Sequence, residues 1–338
     1  MIDLLVVGGG PVGMVAALEA AERGLRVVVA ESRDGDGDKA CGEGLMPSAV
    51  AALSRLGVHP PGADLVGVTY LRGTHRASAE FRDRPGRGVR RTALVAALRD
   101  RLESAGVETV HMRVTHLDQH RDSVRVGTLQ ARYVAVADGL HSPLRRDLGL
   151  QTPARGPARY GLRRHVATAA WSDHVEVYWG EHSEAYVTPV GPSEVGVAVL
   201  GAPGRTFEQR LAEFPELADR LAGAPVSSRV RGAGPLRQSA SARVRGRALL
   251  VGDAAGYVDA LTGEGLAVGF AGAGELVQCV VAGRPEAYEA RWRRATRRPR
   301  LITEALLGST RVTPVRRALV PAAQRLPGVF AAAMNQLA

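Results

Sequence analysis

Lysine is all but missing from this chain: Lys39 is the only one among 44 basic residues. The net charge of +10 at pH 7 is therefore carried by arginine, in a chain rich in alanine, glycine and valine. A positive balance of this size commonly marks a polyanion partner. Arginine enrichment of this kind is also what a GC-rich genome produces, so no nucleic-acid partner is expected. The densest basic run, RWRRATRRPR at 291–300, reads as the solvated face of a helix. Cysteine is scarce too. Cys41 and Cys279 stand far apart, with no CxxC and no histidine at ligand spacing, so neither a disulfide framework nor a metal site is indicated. No apolar run approaches the roughly 20 residues of a membrane span. The N-terminal MIDLLVVGGG lacks the basic stretch that precedes a signal-peptide core. These two absences point to a cytoplasmic protein. Internal repeats and low-complexity tracts are missing as well.

What is present is a chain of 338 residues, 45% hydrophobic, enough to bury a sizeable core in one large or two modest domains. Residues 2–31 run from the apolar IDLLVV through a glycine turn and the helical VGMVAALEAAERG to RVVVAE, ending on Glu31. Continuous apolar runs mark strands buried on both faces, as in parallel sheets, so this reads as one βαβ unit. Helical periodicity returns at 91–105, and ARYVAVADG at 131–139 reads as another buried strand. From about 150 the texture changes to alternating segments such as HVEVYW and EVGVAVLG between Gly/Pro turns, the pattern of antiparallel strands. The first texture resumes with GRALLVGDAAG at 246–256 and a helical run at 264–282, and 286–338 reads as helical. The order predicts a nucleotide-binding domain over 1–70, 88–155 and 240–283. A sheet domain over 71–87 and 156–239 interrupts it, and a helical region over 284–338 follows.

GGGPVG places Gly8, Gly10 and Gly13 at GxGxxG spacing around Pro11 and Val12, directly after a strand and before a helix. Glycines there permit a tight turn, close approach of a pyrophosphate and close helix packing, while the helix N-terminus offers free N–H groups. Glu31, followed by Ser32, stands where a carboxylate can accept from ribose hydroxyls. A second glycine-rich stretch, DKACGEGLMPS at 38–48, admits four readings: a redox thiol, a metal ligand, a phosphate cradle or a shaped turn. Metal fails for lack of partners, a thiol pair fails because Cys279 is remote, and the phosphates are already served by GGGPVG. There remains a turn around Cys41, Gly42 and Gly44, with Pro47 starting the next helix.

ADGLHSPLRR at 137–146 and LLVGDAAGYVDALTGEGLA at 249–267 resemble the DG and GD motifs of FAD-dependent enzymes of the p-hydroxybenzoate hydroxylase superfamily. CGEGL at 41–45 and TGEGL at 262–266 resemble, more narrowly, its geranylgeranyl reductase branch. The resemblance spans most of residues 1–283. It implies an α/β fold: a Rossmann-like, GR2-type FAD-binding domain on a central parallel sheet, an inserted antiparallel substrate sheet and a helical C-terminus. It further implies Gly252 and Asp253 at the ribityl chain, Gly263 and Gly265 passing close to the isoalloxazine, and Leu266 opening a helix aimed at the flavin. Arg91 matches a family arginine near FAD, Val114 a backbone contact near adenine, and Asp138 and Gly139 bound the DG turn. Cys41 is implied beside the cofactor, as contact or gate. No second GxGxxG exists, so NAD(P)H would dock transiently as reductant.

The flavin does the hard chemistry, which leaves reaction type difficult to read. DGLHSPLR matches the hydroxylase form, whereas the reductase branch's Tyr-x-Trp-x-Phe-Pro stretch is replaced by YVTPVGP at 186–192. The first expectation is NAD(P)H-dependent monooxygenation, by hydroxylation or epoxidation, of a hydrophobic or aromatic, polyketide-like small molecule. The alternative is reduction of carbon–carbon double bonds, and a third reading is binding without turnover. Tyr178, Trp179, Tyr186 and His165 are the expected wall or proton-transfer groups. In the C-terminal region, arginines beside apolar positions suit either peripheral membrane contact or packing back on the domain, with Pro321 and Pro327 interrupting a long helix. Oligomeric state is not legible.

Overall fold

The computed structural model describes residues 1–154 and 156–337; Arg155, at the predicted end of a nucleotide-domain segment, and Ala338, the last residue of the helical region, lie outside the described residues. The apolar run Ile2–Val7 forms the middle of a sheet. It pairs in parallel with Val27–Glu31 on one side and Leu129–Val136 on the other, Leu5 standing between Val28 and Val134. Glu108–His111 and Ala248–Leu250 extend the parallel core at its two ends. Both faces are covered, which is why Leu4, Leu5 and Val6 are fully buried without any alternation. The glycine turn is set by close packing. A Cβ at Gly13 would stand 2.0 Å from the Gly8 carbonyl oxygen, and one at Gly8 would stand 2.4 Å from that of Ala137. Pro11 then opens the helix Pro11–Ala21 with no side chain capping its N-terminus, so the first N–H groups remain available.

The second sheet has seven strands, ordered Arg231–Ala233, Tyr160–Val166, Glu194–Gly201, Glu184–Gly191, His174–Trp179, Gly67–Arg72, His75–Glu80. It is antiparallel except where Gly67–Arg72 lies parallel to His174–Trp179. That strand is continuous across residues 70 and 71 and joins the second sheet whole. One row of side chains crosses this sheet by register: Arg163, Ala198, Tyr186, Val177 and Tyr70. Pleating puts all of them on the face turned to the nucleotide-binding domain.

The C-terminal region folds as the helices Tyr288–Ser309, Thr313–Arg325 and Pro327–Asn335. The last one closes over the edge of the second sheet, with the Phe330 ring 4.9 Å from that of Tyr70 and Asn335 accepting from the Arg82 backbone. Among the described residues no helix is long and apolar enough to cross a membrane, and no group of three or more His, Cys, Asp or Glu is placed to hold a metal ion.

Candidate active site

A cavity of about 230 Å³ lies between the two sheets. At one end its wall is Gly10, Pro11, Val12 and Gly13 of the first turn and helix, with Arg33 and Arg91. In the middle it passes Cys41, Gly42, Gly44, Gly139, Gly252 and Asp253, then Gly263, Gly265 and Leu266 at the start of the helix Gly265–Val281. At the other end it runs along Val68, Tyr70, Val177, Tyr186 and Leu200 of the second sheet to Met334 and Leu337 at the C-terminus. Four glycine-bearing segments, dispersed over some 250 residues of chain, thus share one cleft.

Some residues singled out from the sequence stand off its wall. Gly8 is spent on the turn itself. Glu31 accepts the Gly9 N–H at 2.8 Å through one oxygen and the Ser32 and Arg33 N–H groups at 2.8 Å through the other, which places its carboxylate at the rim of the glycine turn, with Ser32 exposed outside it. Asp138 accepts from the Leu144 N–H at 3.1 Å, capping the DG turn, and burial pushes its carboxyl above the usual range. Val114 is buried in the core of the first domain.

The four groups expected on the substrate side separate by sheet geometry. Tyr186 lines the cavity, its hydroxyl donating to the Leu261 carbonyl at 3.0 Å. Tyr178 does not: neighbours on a strand point to opposite faces, and its hydroxyl donates to Glu176 at 2.7 Å in the cluster with Phe214. Trp179 is on the cavity side but is sealed from the space by Tyr70, 5.2 Å away, and by Arg316. His165 is fully buried and faces Glu43, its Nε2 lying 2.5 Å from a carboxylate oxygen. Only Tyr178 is on the opposite face; Trp179 and His165 share the face of Val177 and Arg163 and are kept from the space by the side chains packed over them, which alternation along a strand does not reveal.

The cavity also holds residues that the sequence reading did not single out as a site. Lys39, the sole lysine, lines it beside Gly139; its rarity was the available signal. Glu43 sits inside CGEGL with both oxygens bonded, one to His165 and one accepting the Arg91 N–H at 2.8 Å. Tyr70, Leu236, Met334 and Leu337 supply apolar wall from three distant segments, and nothing local marks them.

The electrostatics divide the cleft. Arg91 stands beside Gly10 at the uncapped helix N-terminus, and Arg33 and Lys39 line the same cleft, an arrangement that suits a diphosphate. The buried Arg91 Nε has no partner among the described residues. At the far end hydroxyls are already committed, Tyr186 to Leu261 and Thr188 to the Gly42 carbonyl at 2.8 Å. Burial pushes the Tyr186 hydroxyl well above its ordinary range, with Glu184 adding to the shift, so it stays protonated at any physiological pH.

The model of the FAD binding domain family matches residues 1–305. Menaquinone reductase of Mycobacterium tuberculosis is 30% identical over 302 residues, covering 79% of this chain and 73% of that protein. Digeranylgeranylglycerophospholipid reductase 1 of Methanopyrus kandleri is 30% identical over 303 residues, covering 78% and 76%. Among solved structures, p-nitrophenol 4-monooxygenase from Pseudomonas putida matches with a TM-score of 0.77 at 22% identity, covering 100% of this chain and 95% of that one. A flavin-dependent brominase matches at 0.82 and 17%, covering 99% and 93%. At these identities the structural likeness is one of fold.

Proposed function

We propose that this chain, which belongs to the FAD-binding domain family and is an FAD-dependent oxidoreductase, reduces a carbon–carbon double bond in a hydrophobic substrate. The observation that carries this reading is the two-ended cleft, basic and glycine-rich at one end and apolar at the other. The residues at the first end suit the cofactor. Gly10, Val12 and Gly13 present backbone to its diphosphate, Arg91 brings an unpaired guanidinium N–H, and Asp253 stands ready for the hydroxyls of its linking chain. FAD, when bound and reduced by a nicotinamide donor, would supply the hydride, and solvent the proton, that together saturate the double bond.

The chain's own part is to bind, orient and exclude water. Val68, Val177, Leu200, Leu236 and Met334 offer contact without hydrogen bonds, and desolvation rewards an apolar ligand there by about 25 cal/mol per Å² of buried apolar surface. Because Tyr186 and Thr188 are bonded within the protein, a polar ligand would lose its water and gain few partners in exchange. The Tyr70 and Tyr257 hydroxyls, which line the cavity and make no hydrogen bond among the described residues, are left to meet a polar group of the ligand. Both curated relatives are named as reductases, of menaquinone and of a digeranylgeranyl lipid, which supports the same choice over hydroxylation.

The test is anaerobic turnover of the FAD-loaded protein with NADH or NADPH and a panel of polyprenyl lipids and quinones. A product heavier by two hydrogens in its polyprenyl chain, retained after the quinone ring is reoxidised in air, is expected. A product heavier by one oxygen, formed only in air, would overturn reduction in favour of monooxygenation.

A further inference from the structure

Glu43 is the one non-glycine residue with a left-handed backbone among the described residues, at φ +60, a conformation a side chain adopts only when its surroundings impose it. It is also 3% exposed. Its two carboxylate oxygens bind different parts of the molecule: the Arg91 N–H, at the start of the helix Arg91–Ser104, and His165 on the second sheet. Behind His165, the Arg163 guanidinium lies 3.0 Å from Nδ1 and the Ser228 hydroxyl 2.7 Å from it. A guanidinium can only donate. Nδ1 is therefore the acceptor, Nε2 carries the ring proton, and that proton points at Glu43. Room for the carboxylate exists because position 196 is glycine; a Cβ there would stand 2.9 Å from the Glu43 oxygen.

The same loop is tied at two more points, by Asp38 to Arg163 and Arg231 and by the Gly42 carbonyl to Thr188. Between these ties the Glu43 N–H reaches the Cys41 sulfur at 3.4 Å. The ties at Asp38, Gly42 and Glu43 hold the Cys41–Gly42 backbone, and that backbone sets where this N–H points.

We propose that Glu43 and His165 form a buried latch that positions the Cys41–Gly44 loop on the cavity wall, with Arg163 fixing the imidazole tautomer that closes it. Glu43 is a positioning residue: it holds Cys41 and the neighbouring backbone where a bound cofactor would meet them. Only this last clause rests on the reading of the cavity as the FAD site.

Two variants break the latch by different routes. Glu43→Gln keeps the shape, but its amide has one acceptor oxygen for two donors, the Arg91 N–H and His165 Nε2–H, and Arg163 bars the other tautomer. Gly196→Ala leaves every polar group in place and pushes the carboxylate aside, so it decides the matter if Glu43→Gln fails to fold. Hydrogen–deuterium exchange of the FAD-free protein is expected to be at least tenfold faster at the amides of 42–44 in both variants, with the parallel sheet unchanged. Loop exchange within twofold of wild type in a folded variant would overturn the latch. With FAD loaded at full stoichiometry, the visible flavin band is expected to shift in both variants. An unaltered band beside a loosened loop would overturn the positioning role, yet leave the FAD reading standing; failure to take up FAD even in the wild type would count against that reading alone.

Discussion

CGEGL at 41–45 and TGEGL at 262–266 differ in one letter, and their glutamates are wired in opposite ways. Glu43 takes the left-handed backbone itself, whereas in the second loop Gly263 takes it, at φ +72, and Glu264 stays at −86. Both carboxylates are buried. Those of Glu43 are answered by two donors, while Oε2 of Glu264 has no partner among the described residues. Burial accordingly pushes the Glu264 carboxyl up to about 7, opposed by the Thr262 hydroxyl. The difference teaches that a motif letter specifies neither backbone nor charge. Partners do, and they come from other strands and helices.

The comparison breaks most severely at Glu43. Glu43→Ala leaves two buried donors unanswered, and is expected to cost about 4 kcal/mol in urea unfolding at pH 7. Removal of Glu264 has the reverse sign. Its folded pKa, about 7, lies above the ordinary 4.5, so the folded chain holds an extra proton between these values and stability falls as pH rises through that window. The loss amounts to about 3 kcal/mol once pH exceeds 7. Glu264→Gln should flatten the slope between pH 4.5 and 7 and be the more stable protein at pH 8. Urea midpoints for the two proteins that stay parallel across that range would remove the contrast between the loops.

How much of this was legible follows from the range of the forces. The βαβ unit was readable because buried runs and glycine spacing are local, and their reasons, close packing of Gly8 and Gly13, act within a few residues and one neighbouring strand. HVEVYW announced a strand for the same reason. Its cavity face was not readable, because that depends on pairing with Gly67–Arg72, about a hundred residues away. Tyr178 and Trp179 are adjacent, so a period of two excluded having both on one wall. His165 was recognised as a residue of interest but not as the partner of Glu43, 122 residues earlier. Met334 and Leu337 carry no mark, since an apolar residue on a terminal helix looks the same whether it covers a core or a ligand.

The smallest expected effects separate strain from function at the two glycines preceding the glutamates. Neither would have its Cβ within 4 Å of another atom, so sterics are equal. Only Gly263 has a left-handed φ. Gly263→Ala should therefore cost about 1 kcal/mol of stability, read from the urea midpoint without cofactor. Gly42→Ala should cost no more than about 0.5 kcal/mol, because its backbone suits any residue. Both glycines line the cavity, so in each variant the new methyl group faces the space where FAD is expected to lie. Titration with FAD should then show weaker binding for Gly42→Ala despite its intact stability. Wild-type affinity there would mean that this glycine serves the chain's own turn, and that the loop comes less close to the cofactor than its twin.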